Sequence, residues 1–290
     1  MKLKGVSIAI ILILFSITMA FGTKLGFAQM PFYDLKPKDI VVKSRFQTSY
    51  SLSSNERKNN IKLASTSINN YFLEVGAEFS FNKVVGERTE KRGYKNAKII
   101  SQGKFIDGIG GGVCQVSTTL YNAVLLADLE ITEWHPHSLP VSYVLPSFDA
   151  MVNSSTSDLR FINNTKNPII INSFADNDKI EIIIYGEQNK FLIERKSEVV
   201  SEIIAPKEEE VEDLDNKYPN VFEGEQITVS YSKNGLVSRG YVIKKIGNKI
   251  VSKRKIREDK YSAYRGLIVK GKAKKPKQSQ DNLAEEKIIS

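Results

Sequence analysis

The spacing of apolar residues along the chain predicts two amphipathic helices in its first half. From Asn59 to Val75, apolar residues recur at steps of three and four, which is typical of a helix with one face on a core. The same spacing returns from Val116 to Leu129 and predicts a second helix of about a dozen residues. Cys114 and the glycines before it are therefore expected at the N-terminal turn of the second helix.

Alternating and β-branched patterns predict strands in most of the remaining chain. The segment HPHSLPVSYVLPSFDAMV favours strand, punctuated by Pro140 and Pro146, and residues 168–174 and 179–185 predict a hairpin with a tight polar turn. Short β-type runs separated by Gly and Asn-Gly turns fill residues 218–272. The sequence thus predicts an α+β central domain, in which a helix follows a Gly-rich loop and has flanking β-strands, and a small all-β C-terminal domain.

Composition shifts divide the chain further. Lys2 and Lys4 precede an apolar run from Val6 to Phe21, which predicts a signal peptide cleaved after Ala28 or a retained signal anchor over residues 1–28. A lead-in covers 29–58, the central domain 59–200 and the small β domain 218–272. An acidic linker at 201–217 and a flexible polar tail at 273–290 complete the predicted organisation.

The charge balance is basic, with a formal net charge of +9 and a pI of about 9.3. Such a chain suits an anionic partner, for example nucleic acid, a membrane surface or a phosphate-rich wall polymer. Because the N-terminus predicts export, we expect no nucleic-acid partner and contact with a membrane only through that segment if it is uncleaved. The expected location is extracytoplasmic, in the cell wall or anchored to the membrane.

Cys114 is the only cysteine of the chain and lies two residues after three consecutive glycines. A lone cysteine in an exported protein can be a buried structural residue, half of an intermolecular disulfide or a reactive thiol. Unpaired N–H groups and the positive dipole end of a helix stabilise a thiolate and lower its pKa. Amides between Gly111 and Gln115 could also hold an oxyanion, so an acyl-transfer site is one interpretation. Gly112 and Ser117 complete the candidate oxyanion and substrate-binding residues.

A cysteine nucleophile usually needs a base, and the chain offers only His135 and His137. The two histidines could instead lie on the surface without a role. They could also bind zinc with Cys114 and Asp149, but the spacing lacks the usual paired-ligand pattern. A phosphate-binding loop is disfavoured because no Lys-Ser or Lys-Thr follows the glycines. We expect no metal and no cofactor.

Several blocks in a fixed order resemble a known family. GVCQVSTTLYNAVLLADLEI, HSLPVSYV, Asp149-Ala150, FSFNKVVGERTEKRGYKNAKII and GKFIDGIGGG together resemble the VanW domain of bacterial cell-envelope proteins, over roughly residues 60 to 190. Some members of that family are understood to act as L,D-transpeptidases, cysteine enzymes that join peptidoglycan stem peptides through an acyl-enzyme. GEQITVSY, GLVSRGYVIKKIG and RGLIVKG resemble a G5 domain, a β module associated with cell-wall and N-acetylglucosamine binding.

The resemblance implies roles for individual residues. The family cysteine falls on Cys114 beside Gln115, and its histidine falls on His137, with His135 ranked second. Asp149 is a candidate to orient the histidine, although the turn glycine that the family often has before it is replaced here. Two hypotheses follow: a cysteine L,D-transpeptidase acting on stem peptides, or a non-catalytic scaffold that binds peptidoglycan stem peptides and glycan. Anionic wall polymers are a further expected partner.

Overall fold

The structure is a computed structural model that describes residues 40–101 and 103–275. The predicted signal or anchor at 1–28 lies outside these residues, as does most of the predicted tail. Among the described residues, no helix has the length and apolarity needed to cross a membrane.

The fold of the described residues is mostly β, with fifteen strands in five sheets and three α-helices. In chain order the elements are β1 (Val41–Ser49), α1 (Asn55–Ile68), β2 (Tyr71–Leu73), β3 (Glu78–Ser80), α2 (Phe81–Val85), β4 (Asn96–Ser101), β5 (Lys104–Ile109), α3 (Val113–Leu126), β6 (Glu130–Glu133), β7 (Arg160–Ile162), β8 (Ile169–Ala175), β9 (Lys179–Gly186), β10 (Leu192–Ile203), β11 (Glu209–Glu212), β12 (Gln226–Ser230), β13 (Gly235–Ile246), β14 (Lys249–Tyr261) and β15 (Leu267–Lys270). A one-turn 3-10 helix, Glu90–Arg92, precedes β4.

The predicted α+β class of the central domain is therefore wrong. Helical periodicity identifies α1 and α3 well, but several strands are only three or four residues long, too short to show an alternating pattern. These short strands pair across long sequence separations into three-stranded and four-stranded sheets. Two long helices thus pack on a β framework and do not form the centre of an α+β core.

The central sheet has the antiparallel order β1-β9-β8-β2, and α1 and α3 pack against one face of it. Buried hydroxyl groups join the helices to this face. Ser44 donates to the carbonyl oxygen of Ala123 at 2.7 Å, Thr48 contacts Thr119 at 2.8 Å, and the hydroxyls of Ser65 and Ser173 are 2.6 Å apart. Because each polar atom has a partner, these contacts fix the register of helix on sheet without a desolvation penalty.

The first predicted helix has different bounds in the structure, and one predicted strand does not form. The first helix begins at Asn55 after the N-cap Ser54 and ends at Ile68. Asn69 already has extended backbone and ends the helix, Asn70 turns the chain with φ 57°, and Tyr71–Leu73 continues as strand β2. The predicted strand in residues 135–152 is absent, because its prolines cannot donate ladder hydrogen bonds and the segment is irregular.

The C-terminal strands form two three-stranded sheets, β10-β13-β14 and β11-β15-β12. Strand β10 begins inside the predicted central domain and pairs with β13 along its whole length. Contacts then join β13 and the end of β14 to the central part of the chain. The hydroxyls of Ser147 and Ser238 are 2.7 Å apart, and the N–H of Ser262 donates to the carbonyl oxygen of Ser138 at 2.8 Å.

Candidate active site

A glycine turn places Cys114 in the first turn of α3. Gly110 and Gly112 have φ values of 86° and 111°, conformations that favour glycine. A Cβ on Gly111 would lie 2.8 Å from the backbone of Ala97, so the turn packs directly on strand β4. The consecutive glycines are therefore required both by backbone conformation and by close approach.

The Cys114 thiol is partly buried and contacts two groups. In the neutral form its Sγ donates to the carbonyl oxygen of Val152 at 3.3 Å, and His137 lines the same cleft, close enough for its ring to act on the ionisation of the thiol. Burial alone would raise the pKa of the thiol, but the hydrogen bond and charge of His137, with a smaller contribution from the charge of Arg88, hold that pKa below its usual value. The site thus favours a thiolate.

His137 lies between the thiol and Asp149. Its Nδ1 is 2.8 Å from Asp149 Oδ2, which leaves Nε2 for the thiol, and its backbone N–H donates to the same oxygen at 2.6 Å. Burial alone would lower the pKa of His137, but hydrogen bonds and charges of Asp149 and Cys114 raise it to about 9. Both shifts favour the ionised forms, a thiolate at Cys114 and an imidazolium at His137, with Asp149 behind the imidazole.

Strand β14 of the C-terminal sheets holds the other side of Asp149. The Tyr261 hydroxyl donates to Asp149 Oδ1 at 2.5 Å. Arg257 Nη2 reaches the same oxygen at 3.3 Å, and its Nη1 donates to the Asp149 carbonyl oxygen at 2.6 Å. Burial opposes the charge of Asp149, but His137, Arg257 and Tyr261 together outweigh burial and keep the pKa of Asp149 below its usual value.

The remaining predicted substrate-binding residues have mixed surroundings. Gln115 is buried, its amide group donates to Ser49 and Thr48, and its backbone N–H is already bonded to the carbonyl oxygen of Gly112 at 2.9 Å. Ser117 is also buried and donates to the carbonyl oxygen of Ala150 at 2.6 Å. Both side chains fix the position of α3. The roles predicted for Gly111 and Gly112 as oxyanion donors stay predictions.

His135 points away from the thiol. Its Nε2 lies 3.0 Å from Glu133 Oε1, and the ring is more exposed than that of His137. Within the described ranges, 40–101 and 103–275, no cluster of three or more histidine, cysteine and acidic side chains is arranged to hold a metal ion.

An open cleft of about 1140 Å³ gives access to Cys114 and His137. It includes residues that the sequence reasoning did not single out, namely Arg57, Arg88 and Tyr143. The sequence reasoning also did not identify Arg257 and Tyr261, which donate hydrogen bonds to Asp149. The alternation Arg257, Asp259, Tyr261 in a charged strand was a usable signal, since all three side chains are buried on one face of β14.

Fold and site together define a mostly β protein with a partly buried cysteine–histidine–aspartate triad at a helix N-terminus. Residues 56–185 match the family model described as VanW like protein. This part of the chain is therefore similar to the VanW family, and the resemblance inferred from the sequence is confirmed.

Two relatives share this part of the chain. It is 40% identical over 142 residues to "Uncharacterized protein YoaR" of Bacillus subtilis (strain 168), covering 49% of this chain and 47% of that protein. It is 29% identical over 126 residues to "Vancomycin B-type resistance protein VanW" of Enterococcus faecalis (strain ATCC 700802 / V583), covering 42% of this chain and 46% of that protein. The chain thus spans about half the length of either relative.

Among solved structures, "Crystal structure of HP0197-G5" aligns with 29% of this chain and all of that chain, at 14% identity and a TM-score of 0.15. A likeness at this level assigns no fold to the C-terminal strands, whose G5 resemblance continues to depend on the sequence blocks.

Proposed function

We propose that this chain is an exported cell-envelope enzyme, a cysteine L,D-transpeptidase that cross-links peptidoglycan stem peptides. The observation that carries the proposal is that Cys114 and His137 line one cleft and shift each other's pKa, while Asp149 holds the imidazole at 2.8 Å. In this proposal Cys114 is the nucleophile, His137 is the base and Asp149 is the orienting group of a cysteine acyltransferase. The VanW-like domain supports the cell-envelope setting.

The geometry supports a two-step acyl transfer. The Cys114 thiolate attacks the carbonyl carbon that precedes the terminal D-alanine of a tetrapeptide stem. The C–N bond then breaks, His137 gives its proton to the leaving amine, and free D-alanine departs from a thioester on Cys114. An amine of a neighbouring stem attacks the thioester, His137 takes up the proton of that amine, and the thiolate is regenerated. Amides of the glycine turn stabilise the oxyanion in both steps.

The test is incubation of the purified full chain with a tetrapeptide stem, followed by mass spectrometry of the protein and of the products. We expect D-alanine release, a thioester on Cys114 and a cross-linked dimer, all lost in Cys114→Ala. His137→Ala should lose them as well, whereas His135→Ala, the matched control with its ring on Glu133, should keep them. Peptidoglycan binding by both wild type and Cys114→Ala, without products from either, would favour the non-catalytic scaffold.

A further inference from the structure

Among the described residues, the permanently charged side chains that line the cleft around Cys114 are all basic. No aspartate or glutamate side chain of those residues lines it. The cations that do so are Arg57, Arg88, Lys98, Lys233 and Lys260. A cleft with charge of one sign concentrates ligands of the opposite sign, so its occupant is expected to carry a negative charge.

Neither Arg57 nor Arg88 pairs with a carboxylate among the described residues. A neutral amide oxygen positions each of them. Arg57 Nη2 donates to Gln115 Oε1 at 3.0 Å, and Arg88 Nη2 donates to Asn82 Oδ1 at 2.6 Å. A guanidinium has five N–H donors, so both retain donors for a ligand while the amides fix their direction.

Both guanidinium groups are half-buried at the nucleophile. Arg88 lies against the glycine turn, where a Cβ on Gly110 would be 3.1 Å from the Arg88 Cβ, and it lines the same cleft as Cys114. Burial lowers the pKa of Arg88, and the charge of Cys114 acts against this effect. On the other side, the aliphatic stem of Arg57 lies against Gly112, two residues before Cys114. A half-buried cation with no paired carboxylate is stabilised further when an anionic ligand binds beside it, because the ligand offsets the cost of burying the charge.

We infer that Arg88 and Arg57 form a carboxylate subsite, which selects peptides whose free C-terminal carboxylate lies one residue beyond the bond attacked by Cys114. The inference rests on the proposed function. The fork of a guanidinium matches a carboxylate with two parallel hydrogen bonds. The carboxylate of the leaving residue is separated from the attacked amide nitrogen by a single carbon atom, so a subsite beside the sulfur reads the end of the chain. Internal amide bonds, which have no such carboxylate, are then poor substrates.

The test compares a tetrapeptide ending in free D-alanine with the same peptide as its C-terminal amide. Binding to the full-length Cys114→Ala protein is measured by calorimetry, without any reaction. We expect the free acid to bind at least about tenfold more tightly, within the range of charge-assisted hydrogen bonds. Arg88→Gln should abolish the difference and Arg88→Lys should retain part of it. Arg45→Gln is the matched control, because Arg45 pairs with Glu181 on the central sheet and does not line the cleft.

Several outcomes would overturn the subsite: equal binding of acid and amide, an unchanged preference in a folded Arg88→Gln protein, or no binding of either peptide. Inorganic phosphate that binds more tightly than the free acid would also overturn it in favour of a phosphate site. The proposed function is tested separately by thioester formation on wild-type Cys114. Acylation by acid and amide alike removes the subsite but keeps the enzyme, whereas selective binding of the acid without acylation keeps the subsite and removes the enzyme.

Discussion

Replacing Tyr261 by phenylalanine tests whether the C-terminal sheets hold the triad in place. The ring stays in the core, where Tyr261 is 1% exposed, and only the hydroxyl is removed. That hydroxyl donates to Asp149 at 2.5 Å and accepts from the N–H of Ser147 at 2.8 Å. A hydrogen bond to a charged group contributes about 1.5–3 kcal/mol, and leaving the buried Ser147 N–H without a partner costs about 1–3 kcal/mol. We expect a loss of roughly 3–5 kcal/mol in unfolding free energy.

This loss should depend on pH, because the hydroxyl stabilises the charged form of Asp149. Burial acts against that form, but the surrounding donors keep the pKa of Asp149 below its usual value. A carboxyl group with a lowered pKa in the folded state contributes stability above its unfolded pKa, and this contribution disappears as pH falls through the folded pKa. The difference between wild type and Tyr261→Phe should therefore be larger at pH 7 than at acid pH.

The assay is thermal and urea unfolding of the full chain at several pH values. At neutral pH a loss of this size corresponds to a decrease of roughly 6–20 °C in Tm for a domain of this size class. Tyr264→Phe is the matched control, since its hydroxyl contacts the neutral hydroxyl of Ser230 at 3.0 Å. A Tyr261→Phe protein that is no less stable than the control, or whose loss is the same at every pH, would refute the reasoning.

Three further substitutions test other parts of the site. The pKa of His137 is about 9 in the wild-type protein, and removing the carboxylate charge in Asp149→Asn should lower it. The alkaline limb of the pH profile of thiol alkylation should therefore move below pH 9. An unchanged limb would contradict this prediction. Gly112→Ala should cost at least about 1–3 kcal/mol in urea unfolding, since φ is 111° and the new Cβ would lie 2.9 Å from Ile61. Ser117→Ala should lower unfolding free energy by about 0.5–1.5 kcal/mol while leaving the thiol alkylation profile as in wild type, because its hydroxyl is bonded to backbone.

The sequence predicted the helix beside Cys114 and one hairpin of the central sheet correctly. A helix that begins next to Cys114 follows from apolar spacing, and α3 begins at Val113. The hairpin predicted at 168–185 corresponds to β8 and β9. These features depend on neighbouring residues, so a single sequence contains their signal.

Features that depend on distant residues could not be predicted in the same way. The segment from 135 to 152 has the composition of a strand, yet its prolines prevent ladder pairing. Its position is fixed instead by side chains of α3: Asn122 donates to the carbonyl oxygen of Phe148 and Ser117 donates to that of Ala150. No local pattern encodes these contacts, although they bring His137 and Asp149 to the thiol.

The extent of the functional unit follows from the same contacts. The family match ends at residue 185, but two of the donors to Asp149 are at positions 257 and 261. Asp149 is nearly fully buried, and a buried carboxylate that loses such donors must either take up a proton or expose itself to water. Either change weakens its hold on His137. The C-terminal sheets therefore contribute to the chemistry of Cys114 through Asp149, and a fragment that stops at the family boundary would retain the three triad residues but lose part of what keeps the aspartate charged.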